Sequence, residues 1–288
     1  MKHRPWGTDP CGLHKKGMDK MNGNHKISCY TLILEITRRC NMTCAHCMRG
    51  DAQNMDMGRD VIERIFSQMT DISALTISGG EPSICPDRIL FALECAKKYG
   101  VNVGYVYIVT NGKEVSDEFL RACREWHMYC MECQIRKENM VGFEKAKQII
   151  DMACDWYEMK GCSVSLSMDP YHEEIPVGNI IRLLSLPVLD TDKFIDFKKT
   201  GILNEGRAKI NGIGDAECTK AHRAGHGDEL YFDDISDDGL YGVVDEMYVN
   251  AEGAILNYCD YSYTSQKDHI LGHISDTWAK DILEKAAY

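Results

Sequence analysis

Between Cys29 and Leu203, short β-rich runs alternate with segments of helical periodicity, and this alternation limits the fold more than any other feature of the chain. Thr31 to Thr37 is a strand run, after which Val61, Ile62, Ile65, Phe66 and Met69 recur at helical spacing. Ser73 to Ser78 is a second strand stopped by Gly79-Gly80; Ile89, Leu90, Leu93, Ala96 and Tyr99 mark a helix that Gly100 can terminate. Val101 to Val109 is a third strand, broken at Asn111-Gly112, and Ser116 can cap a helix carrying Phe119, Leu120 and Cys123. Further on, Met128 to Ile135 reads as a strand and Phe143 to Tyr157 as a helix. Cys162 to Met168 reads as a strand, Val177 to Leu184 as a helix and Phe194 to Leu203 as a last strand. Strands alternating with helices of this length form βα units on a parallel sheet. Five or six such units before residue 210 predict a partial (βα)6-type parallel barrel, too short for a closed eightfold one.

The flanks differ from this pattern. Residues 1–27 lack periodicity and read as an N-terminal arm, residues 28–210 as the barrel, and residues 211–288 as a small α+β C-terminal extension or lid. Asp228 to Glu246 carries eight carboxylates and no Lys or Arg, the pattern of a solvated acidic face. Glu246 to Tyr258 alternates on both sides of Ala251-Glu252-Gly253, a hairpin signal. Asp234-x-Ser236-x-Asp238-Gly239 imitates calcium-loop spacing, but neither flank is helical in pattern, so it reads as chance.

Composition excludes several classes. A hydrophobic content of 44% is ordinary for a packed core, and no run approaches the roughly 18 apolar residues of a membrane span. A net charge of −11 argues against a nucleic-acid partner. The N-terminal residues lack the apolar stretch of an export signal, so the expected location is the cytoplasm, where clustered cysteines bind metal or do chemistry rather than pair as disulfides.

The chain has 14 cysteines. Cys85, Cys95, Cys123, Cys154 and Cys162 fall within apolar segments and read as small buried hydrophobes, as do Cys130 and Cys133, whose spacing would put them on opposite faces of a strand. Cys40, Cys44 and Cys47 differ: three thiols in eight residues, directly after the first strand, suit a zinc ion or an iron–sulfur cluster. His46 is adjacent to Cys47 and poorly placed as a fourth ligand to one ion. Three sulfurs without a local fourth suit a four-iron cluster with one iron left open.

Cys40-x3-Cys44-x2-Cys47 in this loop resembles the signature of the radical S-adenosylmethionine (SAM) superfamily. Ser78-Gly79-Gly80-Glu81-Pro82 after the second strand resembles the Gly-Gly-Glu-Pro motif of that family. Val109 to Gly112 and the segment Ser167-Met-Asp169-Pro-Tyr171-His172-Glu resemble two further family segments. The resemblance covers roughly residues 29–210. It implies that Cys40, Cys44 and Cys47 hold a [4Fe–4S] cluster and that His46 packs beside the adenine of SAM. Gly79, Gly80, Glu81 and Pro82 would take the methionine end, with the Glu81 carboxylate facing the ammonium. Asn111, Ser167 and Asp169 would complete the SAM site, Ser167 and Asp169 at the ribose, while Tyr171 and His172 would face the substrate. In the tail, Gly206-Arg207-Ala208, Cys218, Gly253-x5-Cys259 and Leu271 to Ile274 follow the order of the cysteine-rich SPASM module of peptide-modifying members. Only two cysteines are present there, too few for an all-cysteine auxiliary cluster.

The resemblance therefore implies reductive cleavage of SAM to a 5′-deoxyadenosyl radical that abstracts hydrogen from a substrate, expected to be a peptide or protein. A flavodoxin- or ferredoxin-like reductant is implied as partner. A glycyl-radical-enzyme activase and a small-molecule enzyme are alternatives. A non-catalytic iron–sulfur or zinc-binding protein is the alternative from another class.

Overall fold

A computed structural model of the chain describes residues 25–137, 161–167, 171–186, 201–224 and 229–286. Four strands, β1 (Lys26–Thr37), β2 (Met69–Gly79), β3 (Asn102–Thr110) and β4 (Cys162–Leu166), pair in parallel in that order. Helices α1 (Arg59–Ser67), α2 (Pro86–Tyr99) and α3 (Asp117–Lys137) connect or flank them. Strand alternation separates two faces. Leu32, Leu34 and Ile36 of β1, Leu75 and Ile77 of β2, and Val106 and Ile108 of β3 share one buried core with Ile62, Phe66, Ile89, Leu93, Phe119 and Trp126 of the helices. A side chain such as Leu34, with no exposed surface, is worth about 1.5–3 kcal/mol in burial alone.

The opposite face is polar and half-open. Register places Glu246, Thr31, Ala74 and Tyr105 in one row across it and Tyr248, Ile33, Thr76, Tyr107 and Ser163 in the next. The strand C-termini, where ligands bind in parallel sheets, come together at one rim.

Local signals explain the ends of these elements. Gly100 sits at φ 66° beyond α2, its N–H bonding to Ala96 and Lys97 carbonyls, and Ser116 Oγ accepts from Phe119 N at 3.1 Å at the start of α3. Met128–Ile135, expected as a strand, lies within α3. Phe119, Cys123, Trp126, Cys130 and Cys133 follow helical spacing on a buried face, and the dense apolar run masks that period locally. Cys130 and Cys133 therefore share a helix face, not opposite faces of a strand, and both are buried. Ser167 consequently follows the fourth strand. Cys154, the helix expected over 143–157 and most of the strand expected over 194–203 lie outside the described residues; Leu203 makes one isolated bridge to Asp215. The expected helix Val177–Leu184 is present as α4.

The C-terminal part is continuous with the barrel sheet. Strand β6 (Tyr241–Val249) pairs in parallel with β1, opposite β2. On its far edge β6 pairs antiparallel with β5 (Phe232–Ile235) and with β7 (Ala254–Leu256), the hairpin read from the alternation around Ala251 to Gly253. β8 (Gly272–His273) and α7 (Trp278–Ala286) follow, and α5 (Gly206–Ile210) and α6 (Ala216–Arg223) precede. The stretch Asp234 to Gly239 is a hairpin turn: Asp238 Oδ1 accepts from Ser236 Oγ at 2.6 Å and from Leu240 N at 3.1 Å, with Gly239 at φ 68°. No described helix is long and apolar enough to cross a membrane.

Candidate functional site

The rim loop carrying Cys40, Cys44 and Cys47 leaves β1 at Thr37. Its start is fixed by the two glycines at the end of β2. A Cβ on Gly79 would sit 2.2 Å from the Thr37 carbonyl oxygen and one on Gly80 2.2 Å from that of Arg39. The close approach that these residues require is to the chain itself. Gly80 N donates to Thr37 O at 2.7 Å and Glu81 N to Arg39 O at 2.8 Å, so the β2 end is zipped to the three residues before Cys40.

Glu81 turns inward. Its side chain is 1% exposed; Oε1 accepts from Thr110 Oγ1 at 2.7 Å and Ser83 N at 2.9 Å, and Oε2 accepts from Asn111 N at 2.7 Å. Burial pushes its pKa up, while these donors pull the other way. A carboxylate held by three chain donors is a brace between β2 and β3, not one aimed at open space. Pro82 starts the 3-10 turn Pro82–Ile84 that holds Ser83 N in place.

Asn111 and its neighbours grip the first half of the loop. Asn111 Nδ2 donates to Asn41 Oδ1 at 2.9 Å and stands 3.8 Å from Cys40 Sγ; Lys113 Nζ donates to Asn41 O at 2.8 Å. Glu173 Oε1 accepts from Thr43 N at 3.0 Å and Oε2 pairs with Lys113. Both expected substrate-facing residues arrive with Glu173: the His46 ring is 4.8 Å from that of His172 and 5.6 Å from that of Tyr171. Ser167 N donates to Thr110 O at 2.8 Å, placing Ser167 on the same rim. Asp169 lies outside the described residues.

The second half is held by the tail. Arg207 N donates to Cys47 O at 2.9 Å and Asn211 Nδ2 to Ala45 O at 2.9 Å. Gly206, at φ 50°, packs so closely on the loop that a Cβ would meet Met48 O at 2.4 Å and Cys47 O at 2.7 Å. Buried Arg49 donates to Cys259 O at 2.5 Å and Tyr261 O at 2.9 Å, and Tyr263 N donates back to Arg49 O at 3.0 Å. Beneath, Glu35 accepts from Arg38 Nε at 2.7 Å, Gln266 Nε2 at 2.9 Å and Ala251 N at 3.1 Å, and also pairs with Tyr248.

The cysteines sort by exposure. Cys40, Cys44 and Cys47 are half-buried, as are Cys218 and Cys259; the other described cysteines are buried. Burial pushes the Cys85 and Cys123 thiols up to about 12, so they stay protonated core groups. Among the described residues no three His, Cys, Asp or Glu side chains gather around one ion position. In the tail His222 pairs with Asp260 at 3.5 Å and His269 stacks on Tyr261 at 3.9 Å.

Compared with known families, residues 34–131 match the model of the radical SAM superfamily. The segment that carries the three loop cysteines is similar to the radical SAM superfamily. The matched radical SAM segment runs from β1 into α3 and contains all three loop cysteines and the Gly79 to Pro82 motif. Among solved structures, similar chains include anSMEcpe with bound AdoMet and a Cp18Cys peptide, at 13% identity and TM-score 0.39, covering 88% of this chain and 79% of that one. Another is SuiB of Streptococcus suis bound to the precursor peptide SuiA, at 11% identity and TM-score 0.38, covering 86% of this chain and 63% of that one, under two thirds of its length. No curated protein matches the chain.

Several residues around the cysteine loop gave no signal in sequence. Arg49, Lys113 and Glu173 look like surface charges, yet each bonds to the cysteine loop or to the segment that holds it. Tyr263 is another: its hydroxyl is buried with no partner among the described residues, while its backbone is bonded to Arg49, two residues past Cys47.

Proposed function

We propose that this radical SAM enzyme abstracts hydrogen from a peptide or protein substrate, drawing electrons from a flavodoxin- or ferredoxin-like partner. The observation that carries the catalytic reading is the rim loop. It offers three half-buried thiols at the C-terminal end of a parallel sheet, fixed by β2 and β3 on one side and by the tail on the other. That donor set fits a [4Fe–4S] cluster, which takes thiolate ligands. Cys40, Cys44 and Cys47 would hold the cluster. When bound, cluster and SAM supply one-electron cleavage chemistry that yields a hydrogen-abstracting radical.

The remaining work belongs to the protein. The Gly79-Gly80 segment and Glu81 keep the loop in register with β2, and Asn111 and Lys113 hold its first half. His46, His172 and Tyr171 form an aromatic wall over the second half that would shield a bound nucleoside from water. Ser167 would meet the ribose from the β4 end. Thr31 and Tyr105 in one half-open row inside the barrel, and Thr76 and Tyr107 in the next, would face the substrate. The order of tail motifs from Gly206 to Ile274 supports a peptide over a small molecule; two of them, Gly206-Arg207 and the Cys259 carbonyl, grip the loop.

Anaerobic reconstitution followed by assay for 5′-deoxyadenosine, with dithionite and SAM, tests the reaction. Candidate peptides encoded beside the gene should stimulate its formation several-fold and return with altered mass. Stimulation by small metabolites but by no peptide would contradict the substrate class.

A further inference from the structure

We propose that Asn111 is a positioning residue that donates a hydrogen bond to the Cys40 sulfur and so raises the reduction potential of the cluster this sulfur would hold; the proposal rests on the radical SAM reading above. Its side chain is 7% exposed at the rim end of β3. Three contacts fix it. The backbone N–H is anchored on Glu81 Oε2 at 2.7 Å, and Asn111 Oδ1 accepts from Lys113 N at 2.9 Å. That acceptor role turns the amide nitrogen toward the cysteine loop. Nδ2 carries two N–H groups. One is used by Asn41 Oδ1 at 2.9 Å, and Cys40 Sγ lies 3.8 Å away, within the range of an N–H to sulfur bond.

An N–H dipole directed at a coordinating thiolate stabilises negative charge on it. The reduced cluster carries one electron more than the oxidised one, so the bond favours reduction and lifts the potential. Glu81 would thus act on the cluster through Asn111: it holds the backbone from which the amide reaches the sulfur.

The test is the midpoint potential of the reconstituted cluster without SAM, read by electron paramagnetic resonance during a redox titration. Asn111→Leu keeps the size and removes the donor. Asn111→Asp keeps the acceptor for Lys113 N, removes the donor and adds negative charge. Both should retain iron. At a fixed poise, Asn111→Leu should lower the ratio of reduced to oxidised cluster roughly three- to tenfold, about 30–59 mV for a one-electron couple, and Asn111→Asp should lower it further. A residue that merely shaped the loop would give no such order. Iron-loaded variants with the wild-type potential would overturn the proposal while leaving the family reading intact. Wild-type protein that takes up no iron would overturn both.

Discussion

Glu81 and Gly206 show how single residues set the geometry of the cysteine loop. Glu81 accepts three hydrogen bonds while buried, and glutamine keeps its shape but presents an amide N–H₂ where one donor already points. Leaving a buried donor unmatched costs about 1–3 kcal/mol. Glu81→Gln should therefore lower the unfolding free energy of the metal-free chain by that amount in anaerobic urea titrations. An unchanged midpoint would mean that the carboxylate is not tied to β3. Gly206 and Gly212 make a matched pair, both with positive φ, at 50° and 66°. A Cβ on Gly206 collides with the loop backbone, whereas one on Gly212 meets nothing within 4 Å. Alanine at either costs about 1–2 kcal/mol for the left-handed backbone. Only Gly206→Ala should also displace the loop and lower iron incorporation several-fold, with Gly212→Ala retaining it. Equal iron content in the two variants would contradict the clamp.

At the scale of elements, β6 carries a group with a pH signature. Glu246 faces Thr31 of β1 in register, near Cys29, Tyr258, Cys259 and Asp260, and its Oε1 is buried without a partner among the described residues. Burial, helped by Asp245 and Asp260, pushes its pKa up to about 7. The folded chain thus holds this proton more tightly than the unfolded one, so stability is highest below the ordinary carboxylate range and falls as pH rises toward 7. Glu246→Gln should remove that loss, raising Tm at pH 8 but not at pH 4, by up to about 3 kcal/mol of stability. A Tm gain independent of pH would contradict it. The same strand shows where sequence reading ends. β1 to β3 and the helices between them were legible because the apolar period switches between 2 and 3.6 and glycines mark the stops. The β6–β7 hairpin was legible for the same reason. The parallel pairing of β6 with β1 was not, because partners so far apart in sequence leave no local signature. Met128–Ile135 misled because cysteine, methionine and tyrosine fill both faces of α3 there. At the site, the three cysteines and the glycine motif were legible as types and spacings. The direction of the Glu81 carboxylate and the gripping roles of Arg49, Lys113 and Glu173 depend on which distant segments the fold brings to the loop, which spacing does not encode.

Across the described residues, a parallel sheet is extended by antiparallel C-terminal strands, and its first strand has neighbours on both sides, β2 from the matched radical SAM segment and β6 from the tail. Arg38, Arg49, Gly206 and Arg207 join that tail to the cysteine loop through buried contacts. We infer that residues 211–288 cover and brace one cluster rather than hold a second, since Cys218 and Cys259 leave a cuboidal cluster two thiolates short. Iron and acid-labile sulfide per chain after anaerobic reconstitution test this most directly, in the wild type, in Cys44→Ala and in the double variant Cys218→Ala/Cys259→Ala. The account predicts about four irons in the wild type and in the double variant, and loss of bound cluster in Cys44→Ala, in keeping with a single [4Fe–4S] site. Zinc in place of iron in the wild type, or twice the iron with half of it lost in the double variant, would contradict it.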